Sequence, residues 1–297
     1  MKVLNFGSLN IDYVYDVEHF VQKGETISST ALKVFSGGKG LNQSVAFSKA
    51  GADIYHAGMI GTDGTFLKEI LKETGVKVDY VKQAETVRTG NAIIQNDRQG
   101  DNCIILYGGA NQTISKKFVE EVFRGFESGD WLVIQNEINE NPYIVECAHK
   151  KGMKVVLNPS PMNEKIFDIN LKYVDCFILN EGEGKVLAGN DLQGEELLDE
   201  LKKKFPHTTI VLTLGERGSV YADENNTVYQ KAYKVKTVDT TAAGDTFTGY
   251  FISGRLQGMP VKQSLELAAK ASAITVTGKG AAPSIPWMEE VLKCDFE

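Results

Sequence analysis

Short apolar runs recur at Val3 to Phe6, Ile54 to Ile60, Trp131 to Ile134, Val155 to Leu157, Cys176 to Leu179 and Thr209 to Leu214, and helix-length segments separate most of them. An apolar run of about four to eight residues reads as a strand buried on both faces. The intervening segments are Gly40 to Lys49, Thr65 to Thr74, Ser115 to Phe126, Pro142 to Lys151 and Glu195 to Phe205, with Gly51, Gly75 and Gly152 closing three of them. This alternation predicts an α/β fold, a doubly wound, mostly parallel sheet flanked by helices.

Two stretches break the rhythm. Ile11 to Phe35 is one; Gly90 to Tyr107 is the other, with Asn91 to Asn96 and Asn102 to Tyr107 flanking a turn signal at Asp97 to Asp101. Both read as hairpin strands. They are expected to form a small β-sheet lid from inserted segments 11–35 and 90–107, within a single domain spanning 1–297.

With 297 residues and 42% hydrophobic content, the chain can bury a large core. A net charge of -7 and a pI near 5.3 argue against a nucleic-acid partner and for a small molecule. Cys103, Cys147, Cys176 and Cys294 form no C-x-x-C pair, so neither zinc nor a disulfide framework is indicated, and a reducing cytoplasm is expected. No apolar run approaches the roughly 20 residues a membrane-spanning helix needs. His19, His56, His149 and His207 lack metal-ligand spacing and read as structural or exposed.

Three segments carry chemistry. Asp239-Thr240-Thr241-Ala242-Ala243-Gly244-Asp245 follows a strand-like run at Val235 to Val238 and precedes a helical pattern with Phe247, Phe251 and Leu256. Small residues at a helix start leave backbone N–H groups open to an anion. Asp245, in the first turn, would stand where a carboxylate can take the proton of an attacking hydroxyl. The alternative is that Thr240 and Asp245 only cap the helix. Ser36 to Gln43, with Gly37-Gly38-Lys39-Gly40, also leads into a helix, and physics alone suggests a phosphate cradle, though the spacing is not that of a P-loop. In Gly7-Ser8-Leu9-Asn10-Ile11-Asp12, at the end of the first strand, Asn10 and Asp12 would point to one side and grip adjacent hydroxyls; a solvated turn is the alternative. A G-x-G-x-x-G run is missing after that strand, which counts against a dinucleotide site.

These segments occur in order with Gly61-x-Asp63-Gly64, Gly109-Ala110-Asn111, Asn158-Pro159-x-Pro161, Asn180-x-x-Glu183 and Thr213-Leu214-Gly215. Together they make the chain resemble, from end to end, the ribokinase branch of the PfkB sugar-kinase family. The resemblance implies a kinase that moves the γ-phosphate of ATP to a sugar hydroxyl, with D-ribose the first choice. It makes Asp245 the catalytic base and the amides of Ala242, Ala243 and Gly244 the anion hole. Asn10, Asp12, Gly38, Lys39, Asn42 and Glu137 match the sugar-holding positions, so the Gly37 to Gly40 turn is assigned to sugar and not to phosphate. Asn180 and Glu183 match the pair that organises Mg2+, largely through water. Thr213 and Gly215 match the nucleotide loop, with Asn180, Gly244 and Ala269 beside the nucleotide. Asp239, Thr241, Thr275, Gly278, Gly280 and Ser284 match the ligands of a monovalent cation, usually K+.

Taken without the resemblance, Lys39 reads as a solvated side chain and Glu137 as a surface glutamate. Three positions depart from the family pattern: Tyr250 where a small residue is preferred, Ala269 where many relatives are polar, and Gly278 where a basic residue is frequent. Tyr250 is expected to narrow or reshape the space behind the site. Two rivals remain open here. One is a kinase for another sugar or a nucleoside (fructose, 2-keto-3-deoxygluconate, adenosine or pseudouridine), with Tyr13, Tyr15 and Phe20 able to stack a base. The other is a sugar-sensing protein without transfer activity. The resemblance also leaves open a homodimer formed through the lid.

Overall fold

The computed structural model describes residues 1–296. Its strands are β1 (Val3–Phe6), β2 (Asn10–Asp16), β3 (Ala31–Gly37), β4 (Ile54–Gly61), β5 (Lys77–Ala84), β6 (Gly90–Asn96), β7 (Asn102–Tyr107), β8 (Trp131–Gln135), β9 (Lys154–Asn158), β10 (Cys176–Asn180), β11 (Thr209–Thr213), β12 (Ser219–Ala222) and β13 (Thr227–Gln230). Its helices are α1 (Lys39–Lys49), α2 (Thr65–Glu73), α3 (Lys116–Phe123), α4 (Asn141–Lys151), α5 (Glu181–Ala188), α6 (Gly194–Lys204), α7 (Ala243–Leu256), α8 (Val261–Thr275), α9 (Ala281–Ser284) and α10 (Met288–Lys293).

Nine strands form one sheet in the order β13-β12-β11-β10-β9-β8-β1-β4-β5. All pairings from β11 to β5 are parallel; β12 and β13 add an antiparallel edge. Its faces are covered by two apolar clusters. One joins Phe47, Tyr250 and Phe251 to α1, α7 and α8. The other joins Phe6, Phe126 and Phe177 to α3, α4 and α6. Each such side chain, fully buried, stabilises the fold by about 1.5–3 kcal/mol. Strand and helix therefore alternate as the apolar runs predict.

The second sheet has the order β3-β2-β6-β7. β2 and β3 pair antiparallel, as do β6 and β7, and the two hairpins meet through a parallel β2–β6 contact from Asn10↔Gly90 to Asp16↔Asn96. The turn at residues 97–101 is organised by Asp97, whose Oδ1 accepts from the Gln99 and Asp101 amides.

Two sequence readings need correction. The run Val235 to Val238 is not a strand: it pairs with neither sheet, and the Val238 N–H bonds the Val276 carbonyl at the end of α8 instead. Asn10 and Asp12 do not end the first strand; β1 stops at Phe6, and both residues open β2 in the second sheet.

Close helix packing sets up the site. A Cβ on Gly249 would lie 2.5 Å from the Ala46 Cβ, so α7 and α1 touch at backbone distance there. Asp245 is one turn before Gly249 and Asn42 one turn before Ala46, so this contact places the two polar side chains face to face.

Candidate functional site

The carboxylate of Asp245, 5% exposed, accepts at Oδ2 from Asn42 Nδ2 (3.2 Å) and at Oδ1 from Gln43 Nε2 (2.9 Å). The capping alternative does not describe it: α7 has no side-chain cap, and its N-cap is Ala242, held in the left-handed region at φ 63°. That conformation is uncommon for a residue with a Cβ. The N–H groups of Ala242 and Gly244 donate to no protein acceptor among the described residues, while the Ala243 N–H makes a long 3.3 Å bond to Thr240 O. Nothing would touch a Cβ on exposed Gly244 within 4 Å, so the turn faces open space. From α8, Ser272 Oγ donates to Ala243 O at 2.8 Å and steadies the turn.

Within reach of the Asp245 charge is Glu137, which forms a carboxyl pair with Asp12. Ser8 Oγ–H and the Lys39 N–H (2.8 Å) both donate to Glu137 Oε2. Burial raises the Glu137 carboxyl above its usual value, against the Ser8 bond, the Lys39 charge and the Lys39 N–H. Burial and then the Glu137 charge push the Asp12 carboxyl up to about 7. For Lys39, burial favours the neutral amine, but Asp245, Glu137 and Glu183 together hold the ammonium above its ordinary value. Neither Lys39 nor Glu137 is a freely solvated surface charge.

The glycine turn fits around this pair. A Cβ on Gly37 would collide with the Asp12 carboxylate, one on Gly40 would collide with Ser8 N, and Gly38 has φ 92°. The phosphate-cradle expectation fails on the amides. Lys39 N–H is engaged by Glu137, Gly40 N–H by Ser8 Oγ, Leu41 N–H by Ser8 O and Asn42 N–H by Gly38 O.

On the other side lie Asn180 and Thr213, paired in register on β10 and β11. Asn180 Oδ1 accepts the Glu183 N–H and Glu183 Oε2 accepts the Asn180 N–H, a reciprocal cap of α5. Among the described residues no group of three or more His, Cys, Asp or Glu side chains could hold a metal. One buried carboxylate with a neighbouring amide instead fits Mg2+, which keeps most of its waters and binds through one or two carboxylates and substrate phosphates. Gly215 has φ 60° in the turn after β11, closed by Leu214 N–H to Gly218 O, and Ala269 lies half-buried on α8.

The proposed monovalent-cation residues are also brought together. Asp239 Oδ1 accepts from Thr241 N–H and Thr241 Oγ1–H, and Oδ2 from Gly280 N–H. A Cβ on Gly278 would stand 2.8 Å from Ser284 Cβ, and Ser284 Oγ–H donates to Gly280 O. A loop rich in carbonyl and hydroxyl oxygens beside one carboxylate fits a hard cation. The hydroxyl of fully buried Tyr250 donates to Pro286 O at 2.6 Å, and Lys49 Nζ donates to Ile285 O at 2.6 Å. Together they pin the chain just after Ser284.

Four residues that bond to the site side chains or to each other went unassigned in the sequence reading: Ser8 donates to Glu137, Asn111 to Asn10, Gln43 to Asp245 and Gln135 to Gln43. The first three lie inside quoted motifs, and Gln135 ends β8 two residues before Glu137.

Residues 1–288 match the pfkB family of carbohydrate kinases. The chain is 35% identical over 300 residues to the ribokinase of Staphylococcus aureus (98% of each chain) and 36% identical over 312 residues to that of Schizosaccharomyces pombe (98% and 96%). It superposes on the structure of Arabidopsis thaliana ribokinase complexed with ribose and ATP with a TM-score of 0.86, at 30% identity over 98% and 97% of the two chains. The chain belongs to the pfkB family and is a carbohydrate kinase with the ribokinase fold.

Proposed function

We propose that this kinase transfers the γ-phosphoryl group of MgATP to the 5-hydroxyl of D-ribose, giving D-ribose 5-phosphate and ADP. The observation that carries the reading is Asp245, a carboxylate clamped by Asn42 and Gln43 beside the free N–H groups of Ala242 and Gly244. The ribokinase relatives support ribose as acceptor and ATP as donor.

In the reaction Asp245 accepts the proton of the attacking hydroxyl as the new O–P bond forms and the bond from Pγ to the β-phosphate oxygen breaks. The amides of Ala242, Ala243 and Gly244 meet the charge that develops on the transferring group. Asn10, Asp12, Gly38, Lys39, Asn42 and Glu137 hold the sugar, and Thr213, Gly215 and Ala269 line the nucleotide. Asn180 and Glu183 would organise Mg2+ through water; when bound, the ion neutralises phosphate charge. Asp239, Thr241, Thr275, Gly278, Gly280 and Ser284 would hold K+, which adds positive charge beside the turn.

The second sheet acts as a lid in this reading. Its exposed Leu32, Val34, Ile104, Ile105 and Leu106 suit a second copy of the chain. Exposed, unpaired Cys103 fits a reducing cytoplasm. Membership of a carbohydrate kinase family disfavours the sensing protein.

ADP release measured over ribose, 2-deoxyribose, fructose, 2-keto-3-deoxygluconate, adenosine and pseudouridine tests the substrate. Ribose is expected to show the highest kcat/KM. A clearly higher value for fructose or a nucleoside overturns the ribose assignment and leaves the kinase class intact.

A further inference from the structure

We infer that Gln43 is the positioning residue for the Asp245 carboxylate, locked in a single orientation by a buried chain of carboxamides; this rests on the reading of Asp245 as the base. Gln43 has no solvent exposure. Its Nε2 donates to Asp245 Oδ1 at 2.9 Å and to Asn158 Oδ1 at 3.1 Å, so both of its protons are engaged. Its Oε1 accepts from Gln135 Nε2 at 2.6 Å. Gln135 Nε2 also donates to Asn5 Oδ1 at 2.9 Å, and Asn5 Nδ2 donates to Gly40 O and Ser44 Oγ. Asn158 Nδ2 donates to Ile178 O. Residues from β1, α1, β8 and β9 thus fix which end of the Gln43 carboxamide faces α7.

The direction of these bonds has a chemical consequence. Because Gln43 Oε1 is already engaged, Gln43 can offer Asp245 only donors. A carboxylate oxygen is a good partner for that N–H2 group, and a carboxylic O–H at the same place would find no acceptor there. With one donor on each oxygen, Asp245 keeps lone pairs for an incoming hydroxyl while its plane is fixed. The charged groups facing it are Lys39 from α1, Glu137 after β8 and, through Lys39, Glu183 on α5. At the far end of the chain, His56 bonds Ser44 Oγ and is held neutral by burial, with a pKa lowered to about 3, so it adds no titrating charge near neutral pH.

Gln43→Leu keeps similar bulk and removes the donors. In a folded Gln43→Leu protein kcat is expected to fall on the order of 10- to 100-fold, KM for ribose to change little, and the acid limb of the kcat profile to move to higher pH. Added to Asp245→Asn, the same substitution should lower kcat no further, because its effect passes through Asp245. Gln43→Glu, nearly isosteric, guards against misfolding of the leucine variant; two carboxyls sharing the site should move the acid limb up by more than about one pH unit. A Gln43→Leu protein that only melts earlier, with wild-type kcat and pH profile, overturns the inference, as does an unmoved profile in Gln43→Glu. If Asp245→Asn alone keeps near wild-type kcat, the base reading falls and this inference with it. An inactive Asp245→Asn beside normal Gln43 variants removes only the positioning role.

Discussion

The carboxamide Nδ2 of Asn111 donates to Asn10 Oδ1 at 2.7 Å, and this bond decides which end of Asn10 is left for a ligand. Asn111 is itself fixed: its Oδ1 accepts the Leu9 N–H at 3.0 Å and its Nδ2 reaches Leu9 O at 3.3 Å. Asn10 is therefore left with N–H donors to offer a sugar oxygen. Asn111→Asp keeps the acceptor for Leu9 but sets a carboxylate against two oxygens. KM for ribose is expected to rise on the order of tenfold, about 1.4 kcal/mol, with kcat changed less. Steady-state kinetics with an unaltered KM would remove Asn111 from the sugar site.

Asp245→Asn should remove proton acceptance while keeping size and an acceptor oxygen for one of the two amides that clamp the side chain. A positioned general base is worth roughly 10²- to 10⁴-fold in rate. The loss is expected in kcat, with MgATP affinity and thermal stability close to wild type. A folded variant turning over at near the wild-type rate would return Asp245 to a structural role.

Replacing sodium by potassium at constant ionic strength is expected to raise both activity and the melting temperature, since a ligand that binds only the folded state stabilises it by mass action. Asp239→Asn keeps one acceptor oxygen, enough for the two Thr241 donors, but removes the charge and the acceptor that faces the Gly280 N–H, so the difference between the two salts should shrink. Equal behaviour of the wild-type protein in both salts, by assay and by melting, would count against the cation site.

The Asp12 carboxyl is raised to about 7 from an ordinary 3.8, first by burial and then by Glu137. Between those values the folded chain holds a proton that the unfolded chain has released. The folded state binds more protons there, so this group makes stability fall as pH rises from about 4 to about 7. Asp12→Asn should flatten that part of the decline. The measurement is the melting temperature of both proteins across pH 4 to 8 without sugar; parallel curves would show that Asp12 ionises normally.

What the sequence determined on its own was the architecture and the location of the chemistry. Apolar runs with helix-length spacers specify a parallel sheet because periodicity reports which faces must leave water, and the small residues before Asp245 mark an open helix start wherever that helix is placed. Local signals also located the turn at residues 97–101, since Asp97 bonds its own near neighbours. What only the tertiary structure decided was the partner of each polar side chain. Asn42 meets Asp245 across 203 residues and Gln135 meets Gln43 across 92. The first pair depends on how closely Gly249 lets α7 approach α1, and the second on how α1 lies across β8, distances that no local pattern encodes. The same holds for Val235 to Val238, a β-like run that pairs with no strand and whose Val238 N–H goes to the end of α8, and for Tyr250, whose hydroxyl found Pro286. Burial can be read from a chain one residue at a time; a hydrogen bond between buried side chains needs both ends placed to within a few tenths of an ångström, and only the folded backbone does that.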